Sequence, residues 1–344
     1  MPLATSYDLG DRPSVRGARE SLDNTLRRTA VESTPMFAML SRGPKAKAMF
    51  TEWMVDDLSE VSFPGVIDGA PLAFDGGFVD KTADRARLGN RIQQIQRTFA
   101  SSPQAEAVDV AGPGSSLYTE SKARALIELK RDIEACICSD QDQAVGTGQA
   151  GDKLSGLGAW TDPANTTTYG SSLQQGYRSV SGSRFDLSTA GSMTEDNLRS
   201  VLQAIFEQHG SATSYKLVGG PNCLNEIADM TRTNVASGSP SFQLTQNVGD
   251  GTLKLQVQEY ISDWGRVYLV PTLLNGRTSG GALDATSRNR GYIIPSDNHL
   301  SIRFLEDIKS IDLEDVDGGG KRGLARTMLT ITPTSAGKPL GSIV

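Results

Sequence analysis

Cysteine and histidine are scarce in this chain, which has three and two of them among 344 residues. So few cysteines predict a reducing compartment and argue against a disulfide framework. Cys136 and Cys138 lie two apart in a helical pattern, so their side chains point to nearly opposite sides and cannot chelate one ion. His209 and His299 have no cysteine or acid at ligand spacing. We therefore expect no metal site and no cofactor.

Long apolar runs and blocks of positive charge are also missing. No run approaches the roughly 18 apolar residues that a membrane-spanning helix needs. The N-terminal sequence MPLATSYDLGDRPS lacks the apolar core of a signal peptide. A net charge of −6 argues against strong nucleic-acid binding by the whole surface, although a local basic patch stays open. We expect no membrane contact.

Motifs that carry catalysis are absent or out of context. Gly146, Gly148 and Gly151 spell G-x-G-x-x-G, but a dinucleotide site needs a strand before this motif and a helix after it. In the acidic run IDLEDVDGGG, a calcium loop would place Leu313 and Leu324 at its first and twelfth ligand positions. No G-x-S-x-G is present. We expect no catalytic residue; an enzyme whose site the sequence does not reveal is the alternative, and a bound ligand would favour it.

The strongest helical pattern runs from Tyr118 to Asp140. Thr119 is a candidate cap at its start, and Glu120 suits the helix dipole there. An apolar stripe with steps of three and four residues consists of Leu126, Leu129, Ile133, Cys136 and Ile137. The remaining surface is assigned to Glu128, Arg131, Asp132 and Glu134. This pattern predicts one long spine helix with strand-rich sequence on both sides.

The second half of the chain alternates helices and strands without a βαβ repeat. Thr194 begins an amphipathic helix that ends at Gly210, and a strand YKLVGG leads into a helix near Asn222–Thr231. Alternating Leu253, Leu255 and Val257 indicate a strand, and SDWG a turn before RVYLVP. Short strands are predicted around Gly291–Pro295, Ser301–Leu305 and Arg326–Thr332. The order indicates an α+β chain of about two compact units, with a boundary in the Gly/Ser-rich residues 145–183.

Residues 49–100 predict a two-stranded excursion with segregated charge. MFTEWMV alternates like a strand, whereas NRIQQIQRTFA is polar on both faces and cannot be a central strand. From Thr51 to Asp80 there are seven acids and no base; from Lys81 to Arg97 there are five bases against Asp84. Two interpretations stay open. The hairpin pairs these charges internally, or it lies across another subunit whose charge is complementary.

Residues 1–43 have the composition of an arm. Between Asp11 and Phe50 eight bases oppose four acids, and a short helix is predicted from Ser21 to Ala30. A solvated, partly disordered tail is the alternative.

Phrases along most of the chain, taken in order and spacing, carry a family resemblance. They are ESTPMFAML, MFTEWMVDDL, RLGNRIQQIQRTFASSPQAEAV, KARALIELKRDIEACI, GLGAW, LRSVLQAIFEQHG and VQEYISDWGRVYLVP. With these phrases the chain resembles a major capsid protein of tailed bacteriophages. Each phrase alone is only a packing or turn pattern, so the resemblance rests on their order.

The resemblance implies the Hong Kong 97 fold, an α+β architecture. It divides the chain into an N-terminal arm (1–43), an extended loop (44–110), a peripheral domain with the spine helix and a Gly/Ser-rich connector (111–184), an axial domain (185–298) and a return to the peripheral domain (299–344). The implied function is self-assembly into an icosahedral shell around the double-stranded DNA genome of a tailed phage. The alternative is another virion-structural or self-assembling shell protein, such as an encapsulin or a decoration protein.

The implied partners are further copies of the chain in hexamers and pentamers, a portal, a scaffolding protein, in some cases a decoration protein, and packaged DNA bound without specificity. The implied location is the virion, assembled in the cytoplasm of a bacterial host. Contacts between subunits are predicted for Glu52, Asp56, Asp57, Lys81, Arg85, Arg87, Arg91 and Arg97. Some relatives cross-link through a loop Lys and an Asn; Lys81 and Asn90 are available, but we expect ordinary surface residues there.

Overall fold

The computed structural model describes residues 33–56, 58, 61, 68, 85–108, 116–164, 177–189, 192–209, 214–236, 258–275, 285–297, 299–313 and 320–344. The helix predicted at Ser21–Ala30 and the strand predicted at Leu253–Val257 lie outside these residues.

The helices, in chain order, are α1 (Pro35–Met39), α2 (Pro103–Ala107), α3 (Leu117–Ile137), α4 (Leu157–Trp160), α5 (Glu195–His209), α6 (Pro221–Ala236) and α7 (Ala285–Asn289). The strands are β1 (Ser41–Arg42), β2 (Phe50–Val55), β3 (Ala86–Arg91), β4 (Gln93–Ser101), β5 (Arg184–Phe185), β6 (Ser214–Gly219), β7 (Glu259–Ser262), β8 (Gly265–Pro271), β9 (Gly291–Pro295), β10 (Leu300–Leu313), β11 (Lys321–Pro333) and β12 (Gly341–Ile343). The predicted α+β class is confirmed.

The predicted spine helix is α3, which has 21 residues. Its cap is Ser116, whose hydroxyl accepts a hydrogen bond from the N–H of Thr119, so the predicted cap at Thr119 was wrong by three residues. Its buried face consists of Ala125, Leu129, Ile133, Glu134 and Ile137. The prediction that Glu134 lies on the surface was wrong.

A four-stranded sheet, in the order β1-β10-β11-β4, packs against α3. The nine-residue β4 lies at the edge, as its polar pattern predicted. The prediction that this run is the second strand of the excursion was wrong, because β4 pairs with β11 and the partner of β2 is β3. The predicted strands at Ser301–Leu305 and Arg326–Thr332 are parts of the much longer β10 and β11. Their charged outer ends did not signal a strand from the sequence, because one face of this sheet stays polar.

A six-stranded mixed sheet has the order β5-β12-β9-β6-β8-β7. β6 pairs in parallel with β8 and antiparallel with β9. The apolar faces of α5 and α6 join its core through Leu202, Ile205 and Ile227. The predicted cap of α5 is confirmed, since the Thr194 hydroxyl accepts a hydrogen bond from the N–H of Asn197 at 3.3 Å.

Polar contacts join the C-terminal end of α3 to the six-stranded sheet. The buried guanidinium of Arg290 lies 2.5 Å from a carboxylate oxygen of Asp140. The hydroxyl of Tyr292, on β9, donates to the carbonyl oxygen of Cys138 at 2.9 Å. Burial raises the pKa of the Tyr292 hydroxyl well above its usual value, so this donor keeps its proton. The spine helix is therefore tied to both sheets.

Candidate assembly interface

The hairpin of β2 and β3 is fastened to the subunit by one face. Phe50 lies opposite Arg91 and Trp53 opposite Leu88 in the antiparallel register. Opposite residues share a face and faces alternate, so Thr51, Trp53, Leu88 and Asn90 point inward. Leu88 and Asn90 are fully buried, and the ring of Trp53 lies 6.1 Å from that of Trp160.

The outer face of the hairpin bears two exposed ion pairs. Arg87 pairs with Glu52, and a nitrogen of Arg85 lies 3.4 Å from a carboxylate oxygen of Asp56. The hydrogen bond to Glu52 raises the pKa of the Arg87 guanidinium. Exposed pairs of this kind add little stability, because water and side-chain entropy compete with them. These charges are therefore free to change partners at little cost.

Apolar side chains are exposed beside these charges. Met54 lies between the two pairs along β2 and is 65% exposed, and Leu58 and Val61 beyond the strand are 93% and 85% exposed. Exposed apolar groups rimmed by charge are typical of surfaces that contact another protein. The distal end of the hairpin has this character.

The remaining predicted contact residues do not lie at the exposed distal end of the hairpin. Arg91 pairs with Asp152 at 3.0 Å and is only 12% exposed, and Arg97 donates to both carboxylate oxygens of Asp132 on α3. Asp57 and Lys81 lie outside the described residues.

Pairing between the acidic and basic limbs, the first interpretation of the charge pattern, is thus present within the subunit for Arg85 and Arg87. Arg91 and Arg97 instead pair with acids of other segments. Contacts with a neighbouring subunit stay a prediction.

Asn90 is not the ordinary surface residue that we expected. Its amide nitrogen donates to the carbonyl oxygens of Ile331 at 2.9 Å and Ser155 at 3.2 Å, and its amide oxygen accepts from the N–H of Ser155 at 2.8 Å. The alternation of β3 turns it inward, which the polar character of the residue concealed.

The described end of the predicted arm packs on its own subunit through Glu134. Its two carboxylate oxygens accept hydrogen bonds from the N–H groups of Met36 at 2.8 Å and Phe37 at 2.6 Å. These N–H groups open α1 and have no partner within that helix. Downstream, the N–H of Gly43 donates to Ile302 and that of Ala46 to Phe304, so the chain continues along β10.

Sequence reasoning missed this anchor. The one signal for it is that Glu134 lies three residues before Ile137, and therefore borders the apolar stripe of α3.

A second exposed surface lies at the edge of the six-stranded sheet. On β7 and β8, Ile261 and Tyr268 are exposed, and Arg266 lies 3.6 Å from Glu259. Their neighbour Val267 points the other way and is buried. Among the described residues β7 is the last strand of this sheet, so its edge combines strand backbone with apolar and charged side chains.

Within the described ranges, no group of His, Cys, Asp and Glu is arranged to hold a metal ion. No helix in the described part of the chain is long and apolar enough to cross a membrane. The three cysteines carry free thiols.

Comparisons with solved structures show the fold. The capsid asymmetric unit of cyanophage A-1(L) matches with a TM-score of 0.61 at 14% identity, over 94% of this chain and 96% of that one. The capsid of a native GTA particle gives 0.57 at 13% identity, over 92% and 93%. A chain of Mycobacterium phage Bobi gives 0.55 at 12% identity, over 95% of each. The predicted Hong Kong 97-like fold is therefore confirmed.

Comparison with protein families extends this result from fold to function. No curated protein matches the chain. The family model described as SU10 major capsid protein matches residues 4–332, which is nearly the whole sequence. The chain belongs to this family of structural proteins: it is a phage major capsid protein, which assembles with itself into the capsid shell of the virion.

Proposed function

We propose that the β2–β3 hairpin carries contacts between neighbouring subunits of the shell. The observation that supports this most is the outer face of the hairpin, where Met54 is 65% exposed between the Glu52–Arg87 and Asp56–Arg85 pairs. In the isolated subunit this apolar side chain leaves most of its surface in water. A neighbour that covered it would remove apolar surface from water.

The charges then set register and orientation. Exposed ion pairs exchange partners at low cost, so Glu52, Asp56, Arg85 and Arg87 can pair with opposite charges on a neighbour. Asp57 and Lys81 belong to the same proposal by sequence. Arg91 and Arg97 have acid partners within the subunit, and their share in the contact is proposed to be smaller.

Many weak contacts add up in a closed shell. A subunit that meets neighbours through the hairpin, through the β7 edge and through its arm binds each one with the effective concentration supplied by the others. We infer that the shell is built from hexamers and pentamers, with the β7 edge around their axes.

The division into domains follows the same proposal. Residues 44–110 form the extended loop, and 111–184 with 299–344 the peripheral domain around α3. Residues 185–298 form the axial domain. Two hydrophobic clusters support this division, one around α3 and the four-stranded sheet and one between α5, α6 and the six-stranded sheet. Val218, Tyr292 and Ile294 of the six-stranded sheet belong to the first cluster and connect the two domains. The final strand β12 pairs with β9, so the last residues of the chain also reach the six-stranded sheet.

We also infer that the shell encloses double-stranded DNA, with a portal and a scaffolding protein, and that it assembles in the cytoplasm of a bacterial host. The support is the phage origin of the similar capsids. The first measurement is sedimentation velocity with negative-stain images of the chain expressed alone. Shells or ring-shaped capsomers are the expected result, and their nuclease-protected nucleic acid reports what they enclose.

The hairpin contact is tested by charge reversal. The double variant Arg85→Glu with Arg87→Glu is expected to stay folded, because both pairs are exposed, and to lose shell formation. The matched control reverses Arg124 and Arg199, which form exposed pairs with Glu128 and Asp263. It makes the same change in net charge on other surfaces. Sedimentation gives the assembled fraction, and circular dichroism the fold.

A second variant separates pairing within the hairpin from pairing between subunits. Glu52→Arg and Asp56→Arg, added to the double variant, restore both internal pairs with swapped polarity. If the charges act only within the hairpin, assembly recovers; if they meet a neighbour, it stays lost. Normal shells from the double variant itself would refute the proposal.

A further inference from the structure

The Gly-rich segment after α3 contacts the root of the β2–β3 hairpin. We call residues 141–156 the clamp segment. Its middle folds back on itself, since Thr147 and Ala150 exchange backbone hydrogen bonds and Ala144 pairs with Lys153 in an antiparallel bridge. The glycines that spell G-x-G-x-x-G thus form a turn.

Asn90 makes the first contact between hairpin and clamp segment. Its side chain is fully buried and exchanges hydrogen bonds with both backbone groups of Ser155, at 2.8 and 3.2 Å. The same amide nitrogen reaches the carbonyl oxygen of Ile331 on β11 at 2.9 Å. One side chain therefore joins the hairpin, the clamp segment and the four-stranded sheet.

Arg91 makes the second contact. One carboxylate oxygen of Asp152 receives both the Arg91 guanidinium at 3.0 Å and the N–H of Gly146 at 2.8 Å. A β-carbon at residue 146 would lie 3.0 Å from the backbone nitrogen of Asp152, a tight contact that glycine avoids where the turn closes on the carboxylate. The turn therefore holds Asp152 in place for Arg91.

Gln93 makes the third contact, just past the hairpin. Its amide oxygen accepts from the N–H of Leu154 at 3.2 Å and from the amide of Gln141 at 2.7 Å. Its amide nitrogen lies 3.7 Å from the sulfur of Cys136 on α3. Polar side chains at residues 90, 91 and 93 thus form hydrogen bonds with four residues of the clamp segment, 141, 152, 154 and 155.

We propose that the clamp segment fixes the direction in which the β2–β3 hairpin leaves the subunit, with Asn90 and Asp152 as positioning residues. Apolar contacts such as that of Trp53 with Trp160 attach the hairpin to the subunit, but the hydrophobic effect is not directional and does not fix the angle of the hairpin. Hydrogen bonds among buried groups do have a preferred direction, and each costs free energy when it is distorted or lost. The consequence for the shell rests on the proposed contact role of the hairpin, because the angle decides which surface of a neighbour the hairpin reaches.

The direction of the hairpin is measurable in subunits from the unassembled fraction. Nitroxide labels on Met54→Cys in β2 and Ala123→Cys in α3 report the distance between hairpin and spine helix by double electron–electron resonance. Both positions are exposed. The native thiols resist labelling, because burial raises the pKa of Cys136 to about 11, that of Cys223 to about 12, and that of Cys138 well above its usual value. A chain without the introduced cysteines gives the background.

Asp152→Ala is expected to broaden and shift the narrow distance distribution of the parent chain. Asp152→Asn keeps an acceptor oxygen for Gly146 and Arg91, and is expected to keep the distribution narrow. Asn90→Ala is expected to broaden it further. The matched control is Gln94→Ala, whose side chain is exposed on the neighbouring strand and does not touch the clamp segment.

An unchanged distribution in folded Asp152→Ala would overturn the proposal, and this residue is partly exposed, so the variant tests the proposal even if Asn90→Ala does not fold. The result is independent of the hairpin's contacts in the shell. If Asp152→Ala broadens the distribution and the same variant without labels still forms normal shells, the clamp proposal stands and the contact role of the hairpin is refuted. If the distribution stays narrow and shells are lost, the clamp proposal is refuted and the contact role stands.

Discussion

A single buried carboxylate, that of Glu134, anchors the start of α1 to the spine helix. Glu134 is fully buried on α3, and its two acceptors are matched to two successive N–H groups at the start of α1. Burial raises the pKa of this carboxyl, and the two backbone hydrogen bonds oppose that shift without cancelling it. Cys138, the residue that caps the C-terminal end of α3, is a titratable neighbour, and α1 itself bears no charged side chain.

Replacing Glu134 is expected to loosen the arm root. Glu134→Ala leaves the buried N–H of Met36 and the partly buried N–H of Phe37 without acceptors, which costs roughly 1–3 kcal/mol of unfolding free energy. Amide hydrogen exchange at residues 36 and 37 should rise with it. Glu128→Gln, a change on an exposed ion pair of the same helix, is the control and should do neither.

The raised pKa also predicts a dependence on pH. Since the folded carboxyl holds its proton more tightly than the unfolded one, its titration contributes stability below the ordinary value of 4.5 and loses it as the pH rises through the folded pKa. Chemical denaturation should therefore find the parent chain gaining stability relative to Glu134→Gln as the pH falls through the raised pKa towards the ordinary value of 4.5. A relative loss over that range would contradict the assigned shift.

At the scale of elements, the two glycines of the GLGAW phrase allow α4 to pack closely against the residues that follow α3. Gly156 precedes α4 and Gly158 lies within it. A side chain on Gly156 would collide with the carbonyl oxygen of Ser139, and one on Gly158 with Asp140. These contacts place Trp160, which is 1% exposed, in the core below the hairpin.

Alanine at either of these glycines is expected to destabilise the subunit by about 1–3 kcal/mol, because backbone must move to admit a methyl group. Thermal unfolding of the unassembled chain measures the loss. Gly148→Ala is the matched control, since nothing lies within 4 Å of a side chain there and its backbone is not left-handed. Equal losses at all three positions would show that general glycine flexibility, and not close approach, is the cause.

At the scale of the whole molecule, assembly brings together subunits that each carry a net charge of −6. Their mutual repulsion has to be outweighed by local pairs of opposite charge and by apolar burial. Reversing two arginines lowers the net charge by four, from −6 to −10. This variant therefore loses local pairs and gains repulsion together.

The dependence of assembly on salt concentration shows how much of the defect is due to the added repulsion. The screening length falls from about 10 Å at 0.1 M to about 3 Å at 1 M ionic strength, so high salt removes most of the added repulsion. We expect the Arg85→Glu, Arg87→Glu variant to recover part of its assembled fraction as salt rises, measured by sedimentation velocity. A defect that salt does not change would mean that its cause is the loss of the local pairs or a change in the fold of the hairpin, and not the added repulsion.

Local patterns were enough to predict the local structure. Periodicity and the cap gave α5 nearly to the residue and α3 to within three residues at its ends, and alternation gave β2 and the edge position of β4. The order and spacing of sequence phrases along the chain indicated the family. The segregation of acidic and basic residues predicted that the hairpin takes part in contacts between subunits. Each of these signals lies within a few residues of the feature it predicts, so the sequence alone determined them.

Tertiary structure alone decided which polar residues are buried. Glu134 meets Met36 across 98 residues and Asn90 meets Ile331 across 241, so no local pattern marks either side chain as interior. The G-x-G-x-x-G turn likewise becomes a clamp only because Arg91, 61 residues away, reaches Asp152. A buried polar group needs a partner, and the chain supplies that partner from a distant segment only once it has folded.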